Sequence, residues 1–326
     1  MNKEIKGSAL ILVLFIISLM SVIAVITSER LNSSAQNSIN FLSKTQSYWY
    51  ALGLESSAIE YILNKGKLQR FTTTNNNIST PKIDVSINDV NIQGTLKDLN
   101  SCFNLNLLVK KEGTVFSKNS EILNIYKNLL LNSDVDEFDI NELIFSLIDW
   151  LDTNSFTEDA NGAEDDYYTR LESPYRTANQ LMFNKNELIN IKGYSPVVFT
   201  KLERFICVIP NEVDTKLNLN SISVTKPELL AAVLDNQITP NEALQVLTDR
   251  PVDGFKDYEE FWSHPLLENI QRNNNLKEYL SFSSNFYELQ TVVSNSLNSY
   301  KMKSILFVNE NKSIRVNNRV IGNLEL

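Results

Sequence analysis

From Ala9 to Ile26 the chain reads ALILVLFIISLMSVIAVI, eighteen residues interrupted only by Ser18 and Ser21. A run of that length and polarity suffices to cross the hydrocarbon core of a bilayer as a helix. The helical pattern does not stop there. No Pro or Gly occurs between Ser8 and Leu52. Positions three or four apart, Leu31, Ala35, Ser38, Leu42, Thr45, Trp49, Leu52, Ser56, Ile59 and Leu63, are apolar in seven cases of ten. That is one face of an amphipathic helix. The pattern predicts one helix from Ser8 to about Asn64, roughly 85 Å long at 1.5 Å per residue, half in a membrane and half packed on a sheet.

Downstream the periodicity changes. Thr72–Thr80 (TTTNNNIST) is polar and unpatterned up to Pro81 and reads as a loop. Ile83–Ile87 and Val90–Leu96 flank Asn88-Asp89, a pair suited to a hairpin turn. A helical rhythm then runs through Ile122–Leu131, Ile140–Asp152, Glu187–Ile191, Pro196–Phe205, Lys226–Leu234 and Pro240–Thr248. Phe286–Val293, Lys303–Asn309 and Ser313–Val320 are rich in β-branched and aromatic residues and read as strands. Strands on either side of a helical block describe an α+β protein, with a helical domain inserted into a small helix-and-sheet unit. The pattern leaves strand pairing open.

The compartment is set at the N-terminus. An ordinary secretory signal places small residues after its apolar run. Here Gly7-Ser8 come before it, behind the short leader MNKEIKG with Lys3 and Lys6. An uncleaved single-span anchor is one reading. The other is a class III signal, which resembles that of type IV pilins and their relatives. Those are cut after a Gly ahead of the helix, so the mature chain would begin at Ser8. Pilins usually carry Glu at the fifth mature position, and this chain has Leu12.

With 326 residues, 43% of them hydrophobic and 21% charged, the chain is not a disordered one, and it has room for two or three domains beyond the anchor. His264 is the single histidine, so chemistry needing two imidazoles is excluded. The formal charge of −9 is concentrated: twelve carboxylates and no Lys or Arg lie between Asp134 and Asp166, against 27 acids and 30 bases elsewhere. Nothing provides the basic face that nucleic acid requires. Cys102 and Cys207 lack C-x-x-C spacing. They would be buried thiols in a reducing cytosol and a single bridge outside it.

Three blocks carry a resemblance to a known family. The first is DLNSCFNLN (Asp98–Asn106). The second is LIDWLDTN (Leu147–Asn154), leading to GAEDDYY (Gly162–Tyr168) and SPYRTANQ (Ser173–Gln180). The third is ERFICVIP (Glu203–Pro210) with LNLNSIS (Leu217–Ser223). With YWYALGLE (Tyr48–Glu55) and the missing fifth-position Glu, the chain resembles the K-type minor pseudopilins of bacterial type II secretion systems over nearly its whole length.

The resemblance implies a pilin-like fold, a long membrane-spanning helix on a small antiparallel sheet, with a large all-α SAM-like insertion. On that plan residues 1–7 are a prepilin leader and 8–65 the transmembrane and spine helix. Residues 66–103 hold the first strands, 104–280 the insertion as two SAM-like subdomains, and 281–326 the strands completing the sheet. The resemblance also implies leader cleavage between Gly7 and Ser8, methylation, a single-pass inner-membrane anchor and a periplasmic bulk. In that compartment a Cys102–Cys207 disulfide is expected. The implied role is capping the tip of the pseudopilus in support of protein export across the outer membrane. The implied partners are the I-type and J-type minor pseudopilins, the prepilin peptidase and the inner-membrane secretion platform. A minor pilin of a type IV pilus or DNA-uptake filament is the alternative with the same anchor.

Candidate sites are few. Asp149 and Asp152 share one face of a helix end, and a loop brings Glu164, Asp165 and Asp166 back towards them. Crowded carboxylates repel unless a cation neutralises them, and an all-oxygen set suits Ca²⁺. The loop is not an EF-hand, since Phe156 and Thr157 stand where that motif requires an oxygen ligand and Gly. The resemblance implies structural calcium, and local spacing assigns it to Asp149, Asp152, Asn154, Glu164 and Asp165. Glu187–Phe205 resembles a helix-hairpin-helix with Gly193 in the hairpin, but the acidic segment upstream favours a structural or protein-contact unit over DNA binding. No P-loop, G-x-S-x-G, H-E-x-x-H or dinucleotide fingerprint occurs, so the chain is not expected to be an enzyme.

Overall fold

The computed structural model describes residues 5–68, 82–87, 89–272, 274–296 and 298–322. The loop expected at Thr72–Thr80 and Asn88 of the hairpin turn lie outside them. Helix α1 runs unbroken from Ile5 to Leu68. Its hydroxyl-bearing residues do not compete with the helix, because Ser21, Thr27, Ser38, Thr45 and Ser56 donate back to carbonyls one turn earlier. The apolar side chains from Leu10 to Ile26 are 45–70% exposed, with a mean hydropathy of 3.2 over eighteen residues. A surface of that kind suits lipid rather than water.

The distal half of α1 packs on a sheet, but only partly through the stripe that hydrophobic periodicity picks out, whose Leu52 and Ile59 pack at the margin of the contact. Leu42 and Trp49 of that stripe are exposed. The buried positions are Ser43, Ser47, Ala51, Leu54, Glu55, Ala58 and Ile62. Side-chain size explains the correction. A helix lies close to strands where its contact residues are small, and four of these seven are Ser or Ala. The strand side yields too: a Cβ on Gly94 would meet Leu54 Cδ2 at 2.5 Å.

In chain order, β1 (Lys82–Ile87) and β2 (Val90–Asp98) form a hairpin. After them come β3 (Phe103–Asn104), β4 (Val109–Glu112), β5 (Val115–Lys118), α2 (Leu123–Asn132), α3 (Glu137–Leu151) and α4 (Asp165–Tyr168). Then follow α5 (Pro196–Leu202), β6 (Ile206–Cys207), β7 (Leu217–Asn218), α6 (Pro227–Val233), α7 (Pro240–Thr248), α8 (Tyr258–Trp262) and β8 (Leu280–Ser281). Strands β9 (Phe286–Ser294), β10 (Ser299–Val308) and β11 (Ile314–Ile321) close the chain. The main sheet has the order β1-β2-β9-β10-β11, every neighbouring pair antiparallel. Strands from both sides of the helical region therefore share one sheet. The stretch expected as a helix at Glu187–Ile191 is a 3₁₀ helix, Lys185–Asn190, closed by an Asn184–Glu187 capping box.

The helical region is built on a frame that occurs twice. Strand β3 pairs in parallel with β6, and β7 in parallel with β8. In the first frame Asn106 N–H donates to Asn104 Oδ1 at 3.3 Å; in the second Asn220 N–H donates to Asn218 Oδ1 at 2.9 Å. The second Asn of each pair then grips one distant residue by both backbone groups. Asn106 donates to Met182 O at 3.1 Å and accepts from Met182 N at 2.9 Å. Asn220 does the same with Phe255, at 2.9 and 2.8 Å. Each also donates to a carbonyl beside its return strand, Ile209 O and Phe282 O. All four asparagines are buried, so these bonds are made in a medium where an unmade one is expensive.

Asn100 joins the two parts of the molecule. Its amide donates to Lys216 O and Asn285 Oδ1 and accepts from the N–H groups of Asn285 and Phe286. Nearby, Cys102 and Cys207 form a disulfide across 105 residues of chain, as expected. Strand β11 is tied to α1 by Arg319, which donates from Nε and Nη2 to the two oxygens of buried Glu55 at 2.9 and 2.8 Å, while Ser304 Oγ donates at 2.6 Å. Burial pushes the Glu55 pKa up, but these hydrogen bonds and the Arg319 charge outweigh it and hold the carboxyl below its ordinary value. Replacing Glu55 with Ala is expected to cost about 2 kcal/mol, less than a fully buried pair because Arg319 is partly solvated. Urea denaturation measures it, and an unchanged midpoint would contradict this role.

Candidate functional site

Helix α3 starts well and ends under strain of charge. Asp136 caps it by accepting from Phe138 N–H at 3.0 Å, and Glu137 and Asp139 sit in the first turn, where the helix dipole favours acids. At the other end Asp149 and Asp152 are both wholly buried, where the dipole does not favour them.

The segment that follows is folded around these two carboxylates. Asp149 Oδ1 accepts from Glu158 N–H and Oδ2 from Ala163 N–H, both at 2.8 Å, so one side chain holds both ends of the loop. Asp152 accepts from Asn154 N–H at 3.1 Å and from Asn154 Nδ2 at 2.9 Å. A Cβ on Gly162 would lie 2.0 Å from Asp149 Oδ2, so no other residue fits there. Glu164, the residue before α4, returns into the same space and is 5% exposed.

Glu164 is the anomaly. Neither carboxylate oxygen accepts a hydrogen bond, although both are buried. Thr177 lies close, but its hydroxyl and N–H are directed to Asp165 Oδ1 at 3.2 and 2.9 Å. Burial, then the charge of Asp149, pushes the Glu164 pKa up to about 7. Burial, then Asp149, Glu164 and Glu158, takes Asp152 to about 7. Burial, then Glu158 and Asp159, takes Asp149 to about 6 despite its two backbone donors. The neighbouring cation is Lys118, which pairs with Glu158.

The structure thus brings Asp149, Asp152 and Glu164 into one electrostatic group, with Glu158 as a member that spacing did not single out. Asn154 stays beside Asp152, but its Oδ1 accepts from Phe156 N–H at 2.7 Å within its own turn. Asp165 points to Thr177 and, at 3.9 Å, to exposed Arg176. Among the described residues no three acidic, His or Cys side chains stand as a ready cage. An ion that takes six to eight oxygens would need carbonyls or water to complete its shell. The orphaned Glu164 oxygens and the mutual repulsion are nevertheless what such a cation would relieve. In the hairpin, Lys192 is committed: its ammonium donates to Asn161 O and Gly162 O, pairs with Glu142 at 3.1 Å and lies over the Tyr167 ring.

An apolar anchor helix that continues as a sheet-backed spine, with strands from both sides of a helical block completing the sheet, defines a membrane-anchored, pilin-like subunit. Two family models described as "Type II secretion system (T2SS), protein K" match residues 101–211 and 217–283, each spanning one of the two asparagine frames. Type II secretion system protein K of Aeromonas hydrophila is 30% identical over 262 residues, 77% of each chain. That of Klebsiella pneumoniae is 30% identical over 270 residues, 82% of each chain. That of Pectobacterium carotovorum subsp. carotovorum is 28% identical over 316 residues, 96% of this chain and 95% of the other. A crystal structure of the GspK-GspI-GspJ complex from the enterotoxigenic Escherichia coli type 2 secretion system holds a chain of the same fold. It has TM-score 0.77 and 23% identity, and covers 88% of this chain and all of that one. The chain belongs to the type II secretion system protein K family and is a minor pseudopilin of that system.

Proposed function

We propose that this subunit caps the tip of its pseudopilus, assembled with I-type and J-type minor pseudopilins, and so supports pseudopilus assembly and export across the outer membrane. The observation that carries the reading is Leu12, which stands on the lipid-facing helix where pilins have Glu. A fifth-position carboxylate can neutralise the N-terminal amine of the subunit above, and an unpaired charge in that medium costs several kcal/mol. A subunit with Leu12 offers no such partner and loses nothing at the top. The crystallised relative in complex with GspI and GspJ supports the same partners. The expected result is that the full-length chain, coexpressed with its I- and J-type neighbours, elutes from detergent as one complex. Elution alone would contradict the reading.

In this proposal α1 spans the inner membrane and the remainder lies in the periplasm, with maturation by the prepilin peptidase and contact with the secretion platform. The exposed Leu42 and Trp49 stripe of α1 is then available to neighbouring spines. The two asparagine frames support two SAM-like units within 104–280, and the orphaned Glu164 supports structural Ca²⁺ held with Asp149 and Asp152. The ion would supply neutralising charge and no chemistry. Cleavage is expected between Gly7 and Ser8, checked by mass spectrometry of the mature N-terminus. Retention of Met1 in the assembled protein would contradict it.

A further inference from the structure

The main sheet has one face covered by α1 and one that α1 leaves open. Ile92, Leu96, Leu289, Val293 and Met302 pack with the helix, and the alternate residues of each strand point the other way. At one end of that second face the helical region sits down, where Phe286, Ile305 and Phe307 pack with Leu99, Cys207 and Ile209. Beyond that contact the face is a polar floor, and strand register orders it. Lys97, Glu288 and Ile305 stand side by side; the next row is Thr95, Gln290 and Lys303.

The helical region forms a wall at the end of this floor, and the wall is basic too. Lys185 Nζ donates to Glu203 O at 3.2 Å, and the next residue, Arg204, pairs with Glu228 at 2.8 Å. Lys226 lies two residues before Glu228, ahead of α6. Floor and wall stand within electrostatic reach: Lys185 feels Lys97, Glu288 and Lys303, and Lys226 feels Lys185, Lys97 and Arg204. The four lysines are half-buried.

The acids of this corner are engaged. Glu203 pairs with Lys185 at 3.8 Å and Glu228 with Arg204 through one oxygen. Glu288 pairs with Lys303 at 3.7 Å and accepts from Gln290 Nε2 at 2.6 Å. Asp98 is felt by Lys226, but it accepts from Asn100 N–H and Ser284 Oγ. Among the described residues Lys97 and Lys226 have no ion pair. Burial, then Lys185, Lys97 and Arg204, takes the Lys226 pKa down to about 8, the behaviour of an amine short of negative charge.

We propose that this corner receives an acidic segment of a partner protein, whose carboxylates pair with Lys97 and Lys226. Charge complementarity selects the occupant. The bilayer is out of reach: Leu96 and Leu289 pack at Ala58 and Ile62 of α1, and Ala58 is about 48 Å along the helix from Ile26, several Debye lengths away. Lysines interleaved with acids do not make the continuous basic stripe that a nucleic-acid backbone requires. A second copy could dock only by a patch other than this one, a heterologous contact that builds rings or fibres rather than a pair. The inference does not depend on where the subunit sits in its filament.

The test pans a displayed random-peptide library against the full-length chain in non-ionic detergent micelles. Enriched sequences are expected to be rich in Asp and Glu. The tightest of them, made as a synthetic peptide, is expected to bind the Lys97→Gln/Lys226→Gln variant about tenfold more weakly. Lys111→Gln/Lys127→Gln removes the same charge from two exposed lysines elsewhere, and its binding is expected to stay within about twofold. If the first variant melts low, Lys97→Gln alone, on the open floor, is expected to weaken binding about threefold. No enrichment, enrichment of neutral or basic peptides, or equal weakening in the control variant would each overturn the proposal. So would displacement of the peptide by inorganic phosphate at matched ionic strength, which would assign the corner to a small oxyanion, or self-association that the first variant abolishes.

Discussion

Chelator-treated protein is expected to melt roughly 5–10 °C below protein in calcium, taking a calcium concentration about 100-fold above the dissociation constant. Binding at that excess adds about 2.7 kcal/mol to the folded state. The source is the group at Asp149, Asp152 and Glu164, where burial first and neighbouring carboxylates next raise all three pKa values and neither Glu164 oxygen accepts a well-formed hydrogen bond. The pH dependence has a definite sign. In calcium-free protein these carboxyls titrate at about 6, 7 and 7, above their ordinary values of 3.8 and 4.5. Between about pH 4 and pH 7 the folded chain holds more protons than the unfolded one, so this group's contribution falls as pH rises. Calcium binds the deprotonated group, so its stabilising effect grows over the same interval. Asp152→Asn with Glu164→Gln is expected to remove both the calcium response and that part of the pH slope. Identical wild-type melting in calcium and in chelator would contradict the metal assignment.

Replacing Asn106 with Leu is expected to cost about 2–6 kcal/mol, a large share of a typical 5–15 kcal/mol total. The side chain is wholly buried, and its loss strands Met182 N–H and Met182 O, while Ile209 O keeps the Glu212 N–H. Each stranded group costs about 1–3 kcal/mol. Asn128 is the control: it is half-buried and donates one bond, at the surface, to Asp235 Oδ1, so Asn128→Leu is expected to change stability by less than about 1 kcal/mol. Urea midpoints of the two variants decide the point, and equal midpoints would contradict the frame's importance.

These two sites also show where sequence reading ran out. The helices at α2, α3, α5, α6 and α7 were legible because each carries apolar periodicity, and all but α2 have a Pro, Asp or Thr at the start. The hairpin strands and the C-terminal strands were legible from their β-branched runs. The β4–β5 hairpin was not, since its strands are four residues each and mostly polar outside Val109, Val115 and Phe116. The sheet-facing side of α1 was read only in part, through Leu52 and Ile59, because close packing at its centre selects Ser and Ala, which a hydrophobicity stripe passes over. The asparagines lay inside the blocks that carried the family resemblance, but their partners stand up to 186 residues away, and no local pattern encodes that. Asp149, Asp152 and Glu164 could be found from acidic spacing. Glu158 could not, because it joins only through the fold of its loop.

The central claim, that this subunit occupies the end of a filament and not its shaft, is tested most directly by gold labelling an epitope on the helical region in assembled pseudopili. Unpaired Leu12 and a helical insertion too bulky to repeat along a tightly packed filament predict a single cluster of label at one end. Label distributed along the shaft would contradict the account.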